Sequence, residues 1–300
     1  MKSKNTYILL LFCIILSSVF VLTKKETGKF DIGAESAILV DATTGKILFA
    51  KNAEKKLPPA SMTKMMTEYL VLEAIENGQI SWETTTQISE YAYTISSNPN
   101  FAGVQLNKEK LYTVRELYEA MAIHSDNGTT ITLAELIAGT EGEFVKKMNA
   151  KAKEIGLTEY KFVNATGLSN RDLGENYPDG TAPDADNILS ARSAALLAKK
   201  LIQDFPQALE IASIGQDELD SVQVSNSNLM LEEQSSEYDY LKYEGVDGLK
   251  TGWTAEAGYC FTGTAMQNGH RLISVVMKTS SKDSRFTETR KLFDYGFRKL

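Results

Sequence analysis

Strand-forming segments lie at both ends of this chain, and helix-forming segments lie between them. Near the N-terminus, AILVDATTGKILFA (37–50) places two apolar runs around Thr44-Gly45, a pattern typical of a β-hairpin. Near the C-terminus, GYCFTGTAM (258–266) and RLISVVM (271–277) flank an Asn268-Gly269 turn between two further strands. This order predicts one mixed sheet in which the two ends of the chain come together, with a helical lobe beside it.

Helical periodicity dominates the middle of the chain. A helix is predicted to open at Ser61, because apolar residues follow it at helical spacing, and to close at Asn77-Gly78. Residues 167–187 are rich in Gly, Pro, Asn and Asp, which predicts a long surface loop. The other predicted helices are Val114–His124, Thr130–Ala138, Glu143–Ile155, Ser190–Phe205 and one from Arg285 to the C-terminus.

The composition is that of an ordinary globular protein. Of 300 residues, 43% are apolar and 24% are charged, which argues against disorder and leaves ample material for a buried core. The net charge of −7 argues against nucleic acid as a partner, because phosphate binding needs a basic face. Without a His-Glu-x-x-His motif or a cysteine pair, zinc chemistry is not expected. His124 is predicted to be structural, His270 solvated, and Cys260 a buried thiol in a strand.

Residues 1–25 differ from the rest of the chain. Lys2 and Lys4 precede an apolar run from Tyr7 to Leu22, which is shorter than the ~20 residues needed to span a bilayer. The pattern predicts a signal peptide and therefore export. An uncleaved N-terminal membrane anchor stays open as the alternative, because no clean small-x-small cleavage site follows.

Ser61 and Lys64 stand one helical turn apart in PPASMTKMMTEYL (58–70). With average residue usage, Ser-x-x-Lys occurs by chance about once in a chain of this length, so the pair decides nothing alone. A helix cap followed by a surface lysine is the plain alternative. The functional interpretation depends on the other motifs of the chain.

Two further motifs add weight to that pair. Lys250-Thr251-Gly252 lies in GVDGLKTGWT (245–254), where the glycines and the following hairpin predict a strand beside a cleft. A glycine there lets some other group approach the backbone closely. Ser125-Asp126-Asn127 is predicted in the break between two helices. Ser96-Ser97-Asn98 is a rival, but it is assigned to a loop before any helix, so Ser125 is preferred.

In this order, the three motifs resemble the signature of the penicillin-recognising serine acyltransferases. ASMTKMMTEYLVLEAI, FVKKMNAKAKEIGLTEYKFVNATGL and GVDGLKTGWTAEAGYCFTGTA also resemble the low-molecular-mass penicillin-binding proteins that are D-alanyl-D-alanine carboxypeptidases. The likeness covers residues 34–300. It implies one catalytic domain of an α+β, β-lactamase/transpeptidase-like fold, with an antiparallel sheet flanked by helices and a mainly helical second lobe.

The resemblance also implies an activity and its partners. The terminal D-alanine would be removed from peptidoglycan stem peptides ending in D-Ala-D-Ala, through an acyl-enzyme on Ser61, outside the cytoplasmic membrane and without a cofactor. β-Lactam antibiotics would acylate Ser61 and leave slowly. Two alternatives remain open. One is a β-lactamase of the same fold, whose Glu-x-x-Leu-Asn motif has no better match than EIGLT (154–158); the other is a catalytically silent β-lactam sensor.

Elementary chemistry supports a catalytic role for Ser61 and Lys64. A serine hydroxyl is a poor nucleophile until a base takes its proton, and Lys64, at i+3, shares a helix face with Ser61. Desolvation, with Lys250 as a second cation nearby, is expected to lower the pKa of Lys64 so that the amine is neutral part of the time. The helix N-terminus favours negative charge developing on Ser61.

The resemblance assigns the remaining roles. Ser125 would relay the proton toward the leaving amine. Oxyanion stabilisation would come from the backbone N–H groups of Ser61 and Trp253. Asn127 would hydrogen-bond the substrate amide, while the Lys-Thr-Gly residues would hold the terminal carboxylate. The substrate-binding set is thus Asn127, Lys250, Thr251, Gly252 and Trp253.

Two positions depart from the family pattern. Asn127 is followed by Gly128-Thr129 where the family often has Asp-Ala, which leaves the local backbone open. Ser227, in VSNSNLM (224–230), stands where some relatives carry an arginine that helps to hold the carboxylate. Lys250 and Thr251 are therefore expected to carry more of that task.

Overall fold

Long strands lie at both ends of the described chain, residues 30–300 of this computed structural model, and helices fill its middle. The strands are β1 (Ala34–Asp41), β2 (Ile47–Lys51), β3 (Thr85–Thr86), β4 (Tyr112–Thr113), β5 (Tyr160–Lys161), β6 (Ile188–Leu189), β7 (Gln216–Leu219), β8 (Val222–Ser225), β9 (Val246–Thr254), β10 (Gly258–Gln267) and β11 (His270–Thr279). The α-helices are α1 (Lys64–Glu76), α2 (Glu90–Ser96), α3 (Val114–Glu119), α4 (Asn127–Ala138), α5 (Glu141–Glu154), α6 (Ala191–Asp204), α7 (Gln207–Ala212) and α8 (Ser284–Phe297). Predictions for residues 1–25 lie outside the described residues.

The main sheet has the strand order β2-β1-β11-β10-β9. The predicted hairpins are confirmed, since β1 pairs with β2 and β10 with β11, and Asn268-Gly269 forms the second turn. The two ends of the chain meet where β1 pairs with β11, for example Ile38 opposite Val275. Each of these pairings is antiparallel. The prediction of a mixed sheet from the element order is therefore wrong, and the prediction of an antiparallel sheet is confirmed. Neighbouring strands here are joined by hairpins or by the returning chain, which need no parallel crossover.

Both faces of the sheet are buried. On one face, Ile38 and Val275 join the core formed with the helices of the middle segment. On the other face, Leu39 and Leu272 pack so tightly on α8 that a Cβ added at Gly296 would lie 2.5–2.7 Å from them. Burial on both faces explains why these strands read as continuous apolar runs instead of an alternating pattern.

The helix that begins the middle segment differs slightly from its prediction. Ser61 lies in a 3₁₀ turn, Ala60–Thr63, and the α-helix itself begins at Lys64. The predicted end is confirmed, because Asn77 is the C-cap and Gly78 follows with φ +70°. The 3₁₀ turn packs against β9, and that contact decides where Ser61 sits.

The other predicted helices are present with shifted bounds. Val114–His124 is correct in extent, although α3 ends at Glu119 and continues as a π-helical turn over Ala120–His124. Helices α2 and α7 were not predicted, because each spans only six or seven residues and shows little periodicity. Within residues 30–300, no helix combines the length and the apolar character that crossing a bilayer requires.

The long loop 167–187 is held in place by buried asparagines. Asn187, 2% exposed, accepts from the Val163 and Asn164 backbone N–H groups and donates to Thr63 Oγ1 at 3.0 Å. Asn164 Oδ1 accepts from the Gly167 N–H at 2.8 Å. The loop is therefore tied to the 3₁₀ turn that carries Ser61.

Candidate active site

A cleft of about 410 Å³ opens between the edge strand β9, the start of α4 and the loop after residue 166. Lys64 and Lys250 lie beneath it, 0% and 1% exposed. The cleft is lined by six of the eight residues predicted from the sequence, namely Ser61, Ser125, Asn127, Thr251, Gly252 and Trp253. Three distant parts of the chain thus bring the predicted set together, while the chemical role of each residue stays a prediction.

Lys64 makes three polar contacts through its amine. Nζ lies 3.1 Å from Ser61 Oγ and donates to Asn127 Oδ1 at 2.8 Å and to the Thr166 carbonyl oxygen at 2.8 Å. A neutral amine has two hydrogens and one lone pair. If the two short contacts take the hydrogens, the lone pair faces the Ser61 hydroxyl, which then donates to Nζ. This is the arrangement that a base acting on Ser61 needs.

The electrostatic surroundings of Lys64 favour the neutral amine. Burial lowers its pKa well below the usual value, and the charge of Lys250 lowers it further. Asp126, Glu68 and Glu141 act in the opposite direction. Desolvation and a second cation are the two causes expected from the sequence. For Lys250, burial lowers the pKa to about 8.

Ser125 and Asn127 are oriented by the residue between them. Asp126, fully buried, caps α4 by accepting from the Thr129 N–H and also accepts from the Val104 N–H. Ser125 adopts the left-handed conformation with φ 68°, and its buried Oγ has no hydrogen-bond partner among the described residues. An unpaired buried hydroxyl is costly, which suits a group awaiting substrate. The helix break predicted here is confirmed.

The rival motif has a packing role. Ser96 ends α2, so its assignment to a loop before any helix is wrong. Its Oγ donates to the Tyr93 carbonyl and accepts from the Leu106 N–H, which satisfies the hydroxyl away from Lys64. A Cβ at Gly128 would lie 2.7 Å from Ser96 Cβ. The glycine that departs from the family pattern therefore lets α2 pack on α4.

The Lys-Thr-Gly segment lies on β9, as predicted. Thr251 Oγ1 lies 2.7 Å from Ser227 Oγ, so Ser227 orients the threonine hydroxyl. Gly252 lies against the 3₁₀ turn: an added Cβ would be 2.6 Å from the Pro59 oxygen and 3.1 Å from the Ser61 nitrogen. The close approach expected of this glycine is thus confirmed, and the approaching segment is the one that carries Ser61.

Trp253 follows at the rim of the cleft. Its side chain is 55% exposed and its ring lies 6.0 Å from that of Tyr259. Because β9 is an edge strand, part of its backbone N–H groups have no strand partner. The oxyanion role proposed for the Trp253 N–H needs only this backbone.

Arg285 was not identified as a site residue from the sequence, yet it lines the cleft from α8. It is 6% exposed, its Nε has no hydrogen-bond partner among the described residues, and Nη1 is only 3.5 Å from the Gly252 carbonyl. A buried guanidinium with free donors is suited to a carboxylate. Arg285 is therefore a further candidate for holding a carboxylate, beside Lys250 and Thr251, which were expected to carry more of that task.

The residues to which the sequence gives no catalytic role fall into two groups. Cys260 is buried in β10 and His270 is exposed at the start of β11, as predicted. His124 lines the cleft, with Nδ1 3.3 Å from the Ser225 carbonyl, so the structural role predicted for it stays a prediction. Glu154 pairs with Lys151 at 2.8 Å at the end of α5 and is not among the residues lining the cleft.

Known proteins resemble this chain over most of its sequence. A family model of D-alanyl-D-alanine carboxypeptidases, peptidase S11, matches residues 22–281. D-alanyl-D-alanine carboxypeptidase DacF of Bacillus subtilis is 34% identical over 278 residues, 91% of this chain and 64% of the relative. DacC of Escherichia coli is 34% identical over 270 residues, 89% of this chain and 62% of the relative. The chain thus spans less than two thirds of the length of these relatives.

Solved structures resemble the fold over the same region. A peptidoglycan synthesis regulatory factor (PBP3) from Streptococcus pneumoniae superposes with a TM-score of 0.84 at 41% identity, covering 89% of this chain and 74% of that one. Penicillin-binding protein D2 from Listeria monocytogenes, in its cefotaxime-bound form, gives a TM-score of 0.75 at 33% identity, covering 89% of this chain and 98% of that one. By its sequence match and by its fold, this chain belongs to the D-alanyl-D-alanine carboxypeptidase family.

Proposed function

We propose that this protein is a serine-type D-Ala-D-Ala carboxypeptidase that releases the terminal D-alanine of peptidoglycan stem peptides through an acyl-enzyme on Ser61. The observation that carries the proposal is the contact set of Lys64. Its amine is fully buried. Two of its hydrogens point to acceptors 2.8 Å away, and the remaining position on the nitrogen faces Ser61 Oγ. A serine hydroxyl with such a base beside it is an activated nucleophile.

Acylation follows from these contacts. Ser61 Oγ attacks the carbonyl carbon of the penultimate D-alanine as its proton passes to Lys64 Nζ. The oxyanion is held by the N–H groups of Ser61 and Trp253. As the C–N bond breaks, Lys64 returns the proton to the leaving nitrogen through Ser125, whose Oγ has no other partner among the described residues. Free D-alanine leaves, and Ser61 remains as an ester.

Selection of a chain end follows from the cationic wall of the cleft. The terminal carboxylate is bound by Lys250, by the Thr251 hydroxyl and by Arg285, whose guanidinium is buried beside Gly252. Asn127 binds the substrate amide with the N–H of Nδ2 that is not used by the Ala102 carbonyl. Internal peptide bonds lack the carboxylate, so they lose this binding energy.

Deacylation returns the enzyme to its starting state. Water attacks the ester carbonyl carbon while neutral Lys64 takes its proton. As the bond from that carbon to Ser61 Oγ breaks, Lys64 returns the proton to Oγ, and the shortened peptide leaves with a new carboxyl group. A β-lactam mimics the terminal dipeptide and acylates the same oxygen. Glu154, in the segment that comes nearest to the β-lactamase motif, is exposed and paired with Lys151. This favours a slow release of the penicilloyl group, and so the carboxypeptidase over the β-lactamase.

We place this activity outside the cytoplasmic membrane. Peptidoglycan, the substrate of the proposed reaction, lies there, and the pattern of residues 1–25 predicts an export signal or a membrane anchor. Peptidoglycan stem peptides and β-lactams are therefore the partners that we propose.

The first prediction tests the reaction itself. Purified protein incubated with penicillin should gain one covalent adduct, on the peptide that contains Ser61, with a half-life of minutes or longer by mass spectrometry. The same protein should release D-alanine from a peptide ending in D-Ala-D-Ala. Rapid loss of the adduct with turnover of penicillin would favour the β-lactamase. A stable adduct without any release of D-alanine would favour the sensor.

The second prediction concerns Arg285. Replacing Arg285 with glutamine should raise KM for a D-Ala-D-Ala peptide about 10- to 100-fold with a smaller change in kcat, since hydrogen bonds to a charged group contribute about 1.5–3 kcal/mol. Steady-state kinetics with the free peptide and with its C-terminal amide provide the measurement. On the amide, which carries no carboxylate, the variant and the wild type should have similar KM values. An equal loss on both peptides would assign Arg285 to packing alone.

A further inference from the structure

Glu68 is a buried carboxyl group that the mechanism above does not use. It lies on α1 one turn after Lys64, so the two side chains share a helix face. It is 1% exposed. Oε2 accepts from the Tyr118 hydroxyl at 3.3 Å, and Oε1 has no hydrogen-bond partner among the described residues. Hydrogen bonding therefore does not account for a carboxylate at this depth.

The surroundings of Glu68 act on its charge in both directions. Burial raises its pKa to about 7, while the charge of Lys250 on β9, the Tyr118 hydrogen bond and the charge of Lys64 favour the ionised form. Conversely, Glu68 is the group that favours the charged form of Lys250, against burial and the charge of Arg285. Two buried lysines and one buried glutamate make a cluster that is neutral when Lys64 alone is uncharged. That is the charge state in which Lys64 is a base and Lys250 can bind a carboxylate.

We propose that Glu68 is a positioning residue whose negative charge keeps Lys250 protonated while Lys64 is neutral, and so sets the pH range in which Ser61 is reactive. The inference rests on the proposed function only through the roles of Ser61, Lys64 and Lys250. Other charges near Lys64 come from Asp126 before α4 and Glu141 on α5. Both have their oxygens engaged by backbone N–H groups, those of Thr129, Val104 and Ala165. Glu68 accepts from no backbone N–H that the structure records.

The consequence is a displacement of the pH profile with a definite sign. Removing the charge of Glu68 stabilises the neutral form of both lysines, so both of their pKa values fall. Because the pKa of Glu68 is about 7, its charge acts mainly above that pH. The displacement is therefore expected on the alkaline limb, on which Lys250 loses its proton and which moves to lower pH. Since a nearby opposite charge favours the charged form of a lysine, we expect the alkaline limb of Glu68→Gln to lie at lower pH than that of the wild type.

The test is the rate of penicillin acylation between pH 5 and 10 for the full chain and for Glu68→Gln. We expect the alkaline limb to move to lower pH, with severalfold slower acylation on that side. A ¹⁵N NMR titration of the lysine amines measures the same shifts without requiring any reaction. Glu73→Gln is the matched control, because Glu73 lies on the same helix but is part-exposed and paired with Lys151 at 2.7 Å. Its profile should equal that of the wild type.

Two other outcomes of these experiments would contradict the proposals. A lower maximal rate with unchanged limbs and unchanged lysine titrations would mean that Glu68 only supports packing, and would overturn the proposal. If Glu68→Gln does not fold, Tyr118→Phe provides the test. Losing this hydrogen bond makes the ionised Glu68 less stable, so the alkaline limb should shift to lower pH by a smaller amount. Failure of D-alanine release in a wild type that penicillin still acylates would contradict the proposed function without touching this result.

Discussion

Replacing Ser61 with alanine is expected to abolish both D-alanine release and penicillin attachment, lowering turnover by at least about 10⁴-fold. The change removes the only atom proposed to form the ester. Its structural cost is small, because within residues 30–300 Ser61 Oγ hydrogen-bonds to Lys64 Nζ alone and the side chain is partly exposed. The free energy of unfolding should therefore change by less than about 1 kcal/mol. Release of D-alanine, intact mass after penicillin and thermal unfolding measure these three expectations.

The rival serine supplies the matched control for that experiment. Ser96→Ala removes a buried hydroxyl from a Ser-x-Asn motif that contacts no other predicted site residue. It should keep the activity while losing about 1 kcal/mol of stability, the usual value of a hydrogen bond. An adduct that persists in Ser61→Ala would identify another nucleophile, with Ser125 as the first candidate.

The order and type of the main elements follow from local rules. The hairpins at Thr44-Gly45 and Asn268-Gly269 need only turn chemistry and apolar runs, and the helix end at Asn77-Gly78 needs only a residue that accepts positive φ. These features depend on residues within a few positions of each other. The sequence is therefore sufficient to predict them.

Features that depend on distant contacts could not be predicted in this way. The Thr166 carbonyl reaches Lys64 across 102 residues, and nothing in its own segment indicates an active-site acceptor. Arg285 resembles any basic residue at the start of an amphipathic helix until α8 packs on the sheet and brings its side chain to Gly252. The charge relation between Glu68 and Lys250 arises in the same way, from the packing of α1 near a strand that follows almost two hundred residues later. Motifs identify which residues react, but the groups that tune them are visible only in three dimensions.

The same reasoning makes Lys64 the second decisive position. Lys64→Met is expected to slow both acylation by penicillin and release of D-alanine by about 10³-fold or more, since it removes the base and leaves a side chain of similar length. Asn127 Oδ1 and the Thr166 carbonyl each lose a donor, at about 1–3 kcal/mol per unpaired group, while the desolvation of a buried amine is relieved. Stability should therefore change far less than activity, and thermal unfolding of the variant checks that the fold is intact.

The pH dependence of the residual rate separates a base from a mere contact. In the wild type, acylation should decline at low pH as Lys64 takes up a proton, because burial and Lys250 lower its pKa but do not remove its titration. In Lys64→Met this limb should vanish, leaving a slow rate set by hydroxide or by water. A variant that kept more than about a tenth of the activity with the same acid limb would show that another group accepts the proton. The two short contacts of Lys64 would then serve only to hold Ser61 and Asn127 in place.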